Sequence, residues 1–133
     1  MEQHETAQEW LKRAKSNLNR SKESDHLELR EIVIEDLLFD AQQSAEKSFK
    51  AVLINYDIKF PMTHDLAKLI TLLQNNNVNF PEEILEAAEL TTYAVITRYP
   101  GNIRKIEKED LNWAVDIAEK VYNWAKNIIE TKR

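Results

Sequence analysis

The stretch FDAQQSAEKSFKAVL, Phe39 to Leu53, reads as the middle of a long helix. At about 100° per residue, Ile34, Leu38, Ala41, Ala45, Phe49, Val52 and Tyr56 fall in one apolar stripe. The spacing predicts a helix from about Arg30 to Asn55 that stops before Lys59-Phe60-Pro61. Two alanines in mid-stripe let a neighbouring helix come close. Gln42, Gln43, Glu46 and Lys50 stand beside the stripe, Gln42 almost within it. A buried or half-buried glutamine must find hydrogen-bond partners. One reading of these four residues is a polar seam that fixes helix register, with Glu46 and Lys50 a simple i,i+4 pair. The other is one wall of a polar cleft.

The flanking segments carry the same period. A first helix is expected from about Thr6 to Ser21, where Thr6 and Glu9 have capping-box spacing and Trp10, Leu11, Ala14 and Leu18 share a face. Lys22 to Leu29 is a polar linker. A short third helix is expected from His64 to Gln74, with Thr63 as N-cap and Asp65 where the helix dipole favours negative charge. Leu66, Leu69, Ile70 and Leu73 face inward, and the run Asn75-Asn76-Asn77 ends it. A fourth helix starts at Pro81, followed by Glu82 and Glu83, with Ile84, Leu85, Ala88, Thr91 or Thr92, and Val95 on its buried face. Tyr99 precedes Pro100 and is pushed out of the helical region, and Pro100-Gly101 suits a type II turn, so this helix ends near Arg98. The last helix runs from about Lys108 to Thr131. Its main stripe is Leu111, Ala114, Ala118, Val121, Tyr122, Ala125 and Ile129; a second stripe, Trp113, Ile117, Trp124 and Ile128, requires another partner, either a helix of this chain or a second protomer. The expected fold is all-α: an antiparallel up-and-down four-helix bundle with one additional short helix.

Composition narrows the class. The 133 residues are expected to form one helical domain, 1–133. A chain of this size buries about 68% of its unfolded surface and needs no metal or disulfide for a core. There are no cysteines, which excludes thiol catalysis and cysteine-based zinc sites and fits a cytoplasmic protein. The start MEQHETAQEW is charged and does not read as a signal peptide, and no apolar run approaches membrane-spanning length. A net charge of −5 argues against a protein made chiefly to coat nucleic acid. A single glycine rules out a glycine-rich phosphate loop.

Few residues suggest chemistry. In TRYPG, Thr97 to Gly101, Arg98 either caps the end of the fourth helix or grips a phosphate, and Tyr99 either packs or offers a ring for stacking. His64, placed in the first turn of the third helix, is expected to be mostly neutral there. It is either a structural histidine or a ligand or proton contact. No second histidine or spaced carboxylate near it completes a metal site, so neither metal nor cofactor is expected. Lys12, Arg13, Lys15, Arg20 and Lys22 form a basic run that either touches a phosphate backbone or is a solvated face.

Four segments, WLKRAKSNL (Trp10 to Leu18), FDAQQSAEKSFKAVL, FPMTHDLAKL (Phe60 to Leu69) and TRYPG, followed by the alanine-rich last helix, together resemble the HEPN domain, the higher eukaryote and prokaryote nucleotide-binding domain. The resemblance implies a four- to five-helix bundle that forms homodimers and often accompanies a small nucleotidyltransferase, sometimes as a toxin-antitoxin pair. Some members cleave RNA without metal through an Arg-x4-6-His motif in the last helices; others lack it and bind nucleotides or partners. Here no histidine follows Asp65. Arg20 and His26 satisfy the string, but in the linker after the first helix rather than in the last helices. The resemblance therefore implies a non-catalytic protein that binds a nucleotide, a nucleotidyltransferase partner or both. Arg98 would be the phosphate contact, Tyr99 the stacking face, and His64 and Lys50 secondary polar contacts; no catalytic residue is assigned. The alternatives are a metal-independent ribonuclease toxin with a displaced active site using His64 or His26, and a pure interaction module using the Trp113 and Trp124 face.

Overall fold

Five helical segments put the stripe from Leu38 to Val52 at the centre of the protein. A computed structural model of the chain describes residues 2–96 and 105–131, with side chains over 6–92 and 105–131. The helices are α1 (Glu2–Ser21), α2 (Ile34–Asn55), α3 (Leu66–Asn75), α4 (Ala88–Ile96, entered through a 3-10 turn at Glu82–Ala87) and α5 (Lys108–Glu130). No strand occurs among the described residues. This is the all-α bundle with one short extra helix, α3, that the periodicity predicts.

α2 touches α1, α3, α4 and α5. It is buried almost all round from Leu37 to Leu53. Small side chains make that approach close: the Ser44 hydroxyl reaches across to donate to the Ala14 carbonyl of α1 at 2.8 Å. Contacts along the pair fix its direction. Asn17 meets Asp40, Ala14 meets Ser44, and Trp10 faces Lys50, so α1 and α2 run antiparallel. Lys22 with Glu119 and Lys15 over Tyr122 make α1 antiparallel to α5 as well. α2 and α5 therefore run the same way, as alternating up-and-down order requires.

One group in this seam is unsatisfied. The Ser48 hydroxyl is fully buried and has no hydrogen-bond partner. A buried polar group without a partner costs roughly 1–3 kcal/mol. Ser48→Ala should therefore raise the unfolding free energy by about 1 kcal/mol, read by urea titration of the helical circular dichroism signal. A loss of stability would mean that the hydroxyl is bonded after all.

Four helix starts differ from the sequence expectation. The first is α1, which begins at Glu2 rather than near Thr6, so that Thr6 lies inside the helix and is not its cap. α2 begins at Ile34 rather than near Arg30. Residues 27–32 close a turn of their own, with Ile32 N–H donating to the Leu27 carbonyl at 2.9 Å and Glu31 left-handed at φ 55°. α3 begins at Leu66, and its N-cap is Asp65, which accepts from the Ala67 N–H, not Thr63. Thr63 instead receives the Asp65 N–H at 3.1 Å. The segment after Pro81 starts as a 3-10 turn, whose three-residue pitch buries Ile84 and Ala87 and leaves Leu85 on the surface.

The main stripe of α5 is buried as expected, every residue of it. Part of its second stripe is answered within the chain: Trp124 packs its ring at 5.7 Å from Phe49 and edge-on to Phe80 at 6.0 Å, and its indole N–H donates to the Asn79 carbonyl. The basic run is largely occupied. Arg13 pairs with Glu9, Arg20 with Asp40 and Lys22 with Glu119, while Lys15 lies over the Tyr122 ring. Lys47 donates to Asn17, and burial together with the nearby Arg20 lowers its pKa.

Candidate functional site

Gln42, Glu46 and Lys50 recur every four residues, so α2 stacks them on one side. That side is covered by Trp10 of α1 and by the segment Phe60–Asp65 that leads into α3. Lys50 is consequently inside, only 7% exposed, and Glu46 is 2% exposed. Their side chains meet at 2.8 Å. The Lys50 ammonium lies 5.6 Å from the Trp10 ring centroid and 5.7 Å from that of Phe60. Two ring faces are favourable neighbours for a cation out of water.

Four groups converge on the Glu46 carboxylate. Besides Lys50, the amides of Gln42 and Gln43 donate to Oε1 at 3.3 and 3.2 Å. The fourth is His64, whose Nδ1 is 3.1 Å from both carboxylate oxygens. A buried carboxylate is tolerable only when its lone pairs are satisfied in this way. Gln42 also donates to the His64 carbonyl at 3.1 Å, and the Thr91 hydroxyl of α4 donates to the same oxygen at 3.4 Å while accepting the Leu66 N–H at 2.9 Å. The backbone at His64 is thus held from α2 and α4. His64 lies immediately before the α3 N-cap, Asp65, rather than in the first turn of the helix. Its ring is 77% exposed, standing on a carboxylate that is 3% exposed.

With a proton on Nδ1 directed at Glu46, Nε2 is left as an acceptor for a proton or a ligand donor. The cluster is a buried, hydrogen-bonded ion pair under one presented imidazole. Among the described residues, no group of three or more histidine, aspartate or glutamate side chains is arranged to hold a metal ion. No described helix is long and apolar enough to cross a membrane.

Comparison with known proteins follows the same lines. A family model described as the HEPN domain matches residues 7–128. The chain belongs to the HEPN family. Two solved structures resemble this HEPN domain. One is TT1696 from Thermus thermophilus, with a TM-score of 0.72 and 27% identity, covering 91% of this chain and 96% of the other. The second is ST0689, an archaeal HEPN homologue, with a TM-score of 0.68 and 24% identity over 93% and 98% of the two chains. None of the curated proteins compared with it matches.

Of the four site residues expected for this HEPN domain, the fold brings His64 and Lys50 together on Glu46. Arg98 and Tyr99 lie outside the described residues. Arg20 is bonded to Asp40 at 2.9 Å, and His26 sits in the turn-rich connection between α1 and α2 at φ 58°. The sequence reading of site residues omits Glu46, which is the hub, and the rings of Trp10 and Phe60. The Gln42-x3-Glu46-x3-Lys50 spacing beside the apolar stripe was the available signal for Glu46. Nothing local signals the two rings, since each comes from another segment.

Proposed function

We propose that this HEPN domain is a non-catalytic cytoplasmic protein that binds a nucleotide, a small nucleotidyltransferase partner, or both, as one half of a toxin-antitoxin-like pair. The observation that carries the reading is the His64 imidazole, presented to solvent on the buried Glu46–Lys50 pair. A surface histidine needs no such foundation to be stable; a contact that must be held still for a ligand does. In this reading Arg98 grips a phosphate, Tyr99 supplies a stacking face, His64 contributes a polar contact and Lys50 acts through Glu46. The protein works as a homodimer, with the half-buried parts of the second α5 stripe facing the partner copy. The test is calorimetric titration with common nucleotides. Arg98→Ala should weaken binding about tenfold, the loss of a charge-assisted hydrogen bond, with the helical signal unchanged. Equal affinity before and after removes Arg98 from the site, and no heat with any nucleotide or with a nucleotidyltransferase partner ends the reading.

The Glu46–His64 pair also favours a second reading, a metal-independent ribonuclease with a displaced active site. A carboxylate on Nδ1 orients an imidazole to take a proton at Nε2. That reading requires RNA breakdown by the pure protein and its loss in His64→Ala; cleavage that survives the substitution rules it out.

A further inference from the structure

The arrangement that presents His64 also makes its ring a nucleophile. In the neutral ring the hydrogen sits on Nδ1, which is 3.1 Å from both oxygens of Glu46. Nε2 then carries the free lone pair, on a side chain that is mostly exposed. The His64 carbonyl is bonded by the Gln42 amide and the Thr91 hydroxyl, so backbone and ring are both tied down. A carboxylate on one imidazole nitrogen fixes the tautomer. It also offsets the positive charge that the ring gains when the other nitrogen forms a bond.

Charge selects the electrophile. A bare carboxylate under the ring would repel an anion. Here Glu46 is paired with Lys50 at 2.8 Å and accepts from the amides of Gln42 and Gln43 as well. The base of the cluster therefore has no net charge, and it does not oppose an anionic phosphoryl group arriving at Nε2. Asp65, the next residue, turns its carboxylate onto the Ala67 N–H at the start of α3. His26 gives the contrast: it is exposed, and among the described residues no carboxylate meets its ring.

We infer that Nε2 of His64 is a covalent phosphoryl acceptor, taking the group from a phosphoramidate donor, the chemical class that includes a phosphohistidine on a partner protein. Nε2 attacks phosphorus, a new N–P bond forms, and the P–N bond of the donor breaks. The leaving nitrogen, already protonated in the donor, takes the electron pair and departs neutral. The ring keeps its Nδ1 hydrogen and becomes a phosphorylated imidazolium facing the Glu46 carboxylate. One P–N bond replaces another, so the transfer needs no further co-reactant. Glu46 is a positioning residue, and Lys50 neutralises it. The inference rests on the same presented His64 as the reading above, but not on nucleotide binding.

The test treats the full chain with potassium phosphoramidate at neutral pH. Labelling is followed by intact mass and by peptide mapping without acid. His64 should be labelled roughly tenfold or more faster than His26. Ring-proton couplings to phosphorus in the labelled chain should place the group on Nε2 of His64 alone, because Glu46 holds Nδ1. Glu46→Leu combined with Lys50→Met removes the ion pair at similar volume, and its helical circular dichroism signal checks that it folds. In that variant His64 should react at the His26 rate and on both nitrogens. Nucleotide titrations without heat leave this inference standing, and an unlabelled His64 leaves nucleotide binding standing, so the two fail separately. In the parent chain, labelling of His64 no faster than His26, or on both of its nitrogens, overturns the inference without any variant. An unchanged His64 rate in the folded double variant overturns it as well.

Discussion

Glu46→Ala is expected to destabilise the protein by about 3–5 kcal/mol, the cost of leaving one member of a buried ion pair without its partner. The Lys50 ammonium cannot turn to water, because it is 7% exposed and enclosed by Trp10 and Phe60. The amides of Gln42 and Gln43 lose their shared acceptor at the same time. Against a total stability of about 5–15 kcal/mol for an ordinary domain, this is a large fraction. The second variant decides the cause. Glu46→Leu combined with Lys50→Met replaces both charges by apolar groups of similar size, and should recover most of the loss. His64→Ala, which removes only the exposed end of the network, should cost less than about 1 kcal/mol. Urea titrations of the variants measure all three. A Glu46→Ala protein within about 1 kcal/mol of the parent, or a double variant worse than the single one, would show that the pair does not carry this energy.

Phe49→Ala should cost about 3–5 kcal/mol by a different route, the loss of transfer energy plus the cavity left behind. Phe49 is completely buried at the α2–α5 seam, with Trp124 5.7 Å away at 59°. Two long helices meet there and hold each other apart, so the void cannot collapse. Leu29→Ala is the matched control: Leu29 is 84% exposed, and its truncation should leave stability within about 0.5 kcal/mol of the parent. Equal unfolding midpoints for Phe49→Ala and the parent would contradict the packing described.

The HEPN resemblance was legible because it rests on local strings, and the family match over residues 7–128 agrees with it. The candidate site was legible only in pieces. Lys50 and His64 are visible as separate polar residues, 14 positions apart in the sequence. Their common partner Glu46 reads in the sequence either as half of a simple i,i+4 pair in a polar seam or as part of one wall of a polar cleft. An i,i+4 spacing says that two side chains can meet, and says nothing of whether water is there. Burial of the pair depends on Trp10 and Phe60, which other segments bring over it.

From the sequence alone came the helical class, the rough positions of the helical segments among the described residues, and the main apolar faces of α2, from Leu38 to Val52, and of α5. All are properties of residues three or four apart, and helical pitch is the same wherever the helix is placed. Tyr56, at the end of the expected α2 stripe, is exposed, and the expected end of the fourth helix near Arg98 lies outside the described residues. Tertiary structure decided the rest. Asp65 and not Thr63 caps α3, because Gln42 and Thr91 hold the His64 carbonyl outside the helix. The turn after Pro81 tightens to a three-residue pitch, which puts Ile84 and Ala87 inside and Leu85 outside. Trp124 finds Phe49, Phe80 and the Asn79 carbonyl within its own chain. Each outcome depends on groups far away in sequence, and a local period carries no information about what will be packed against it.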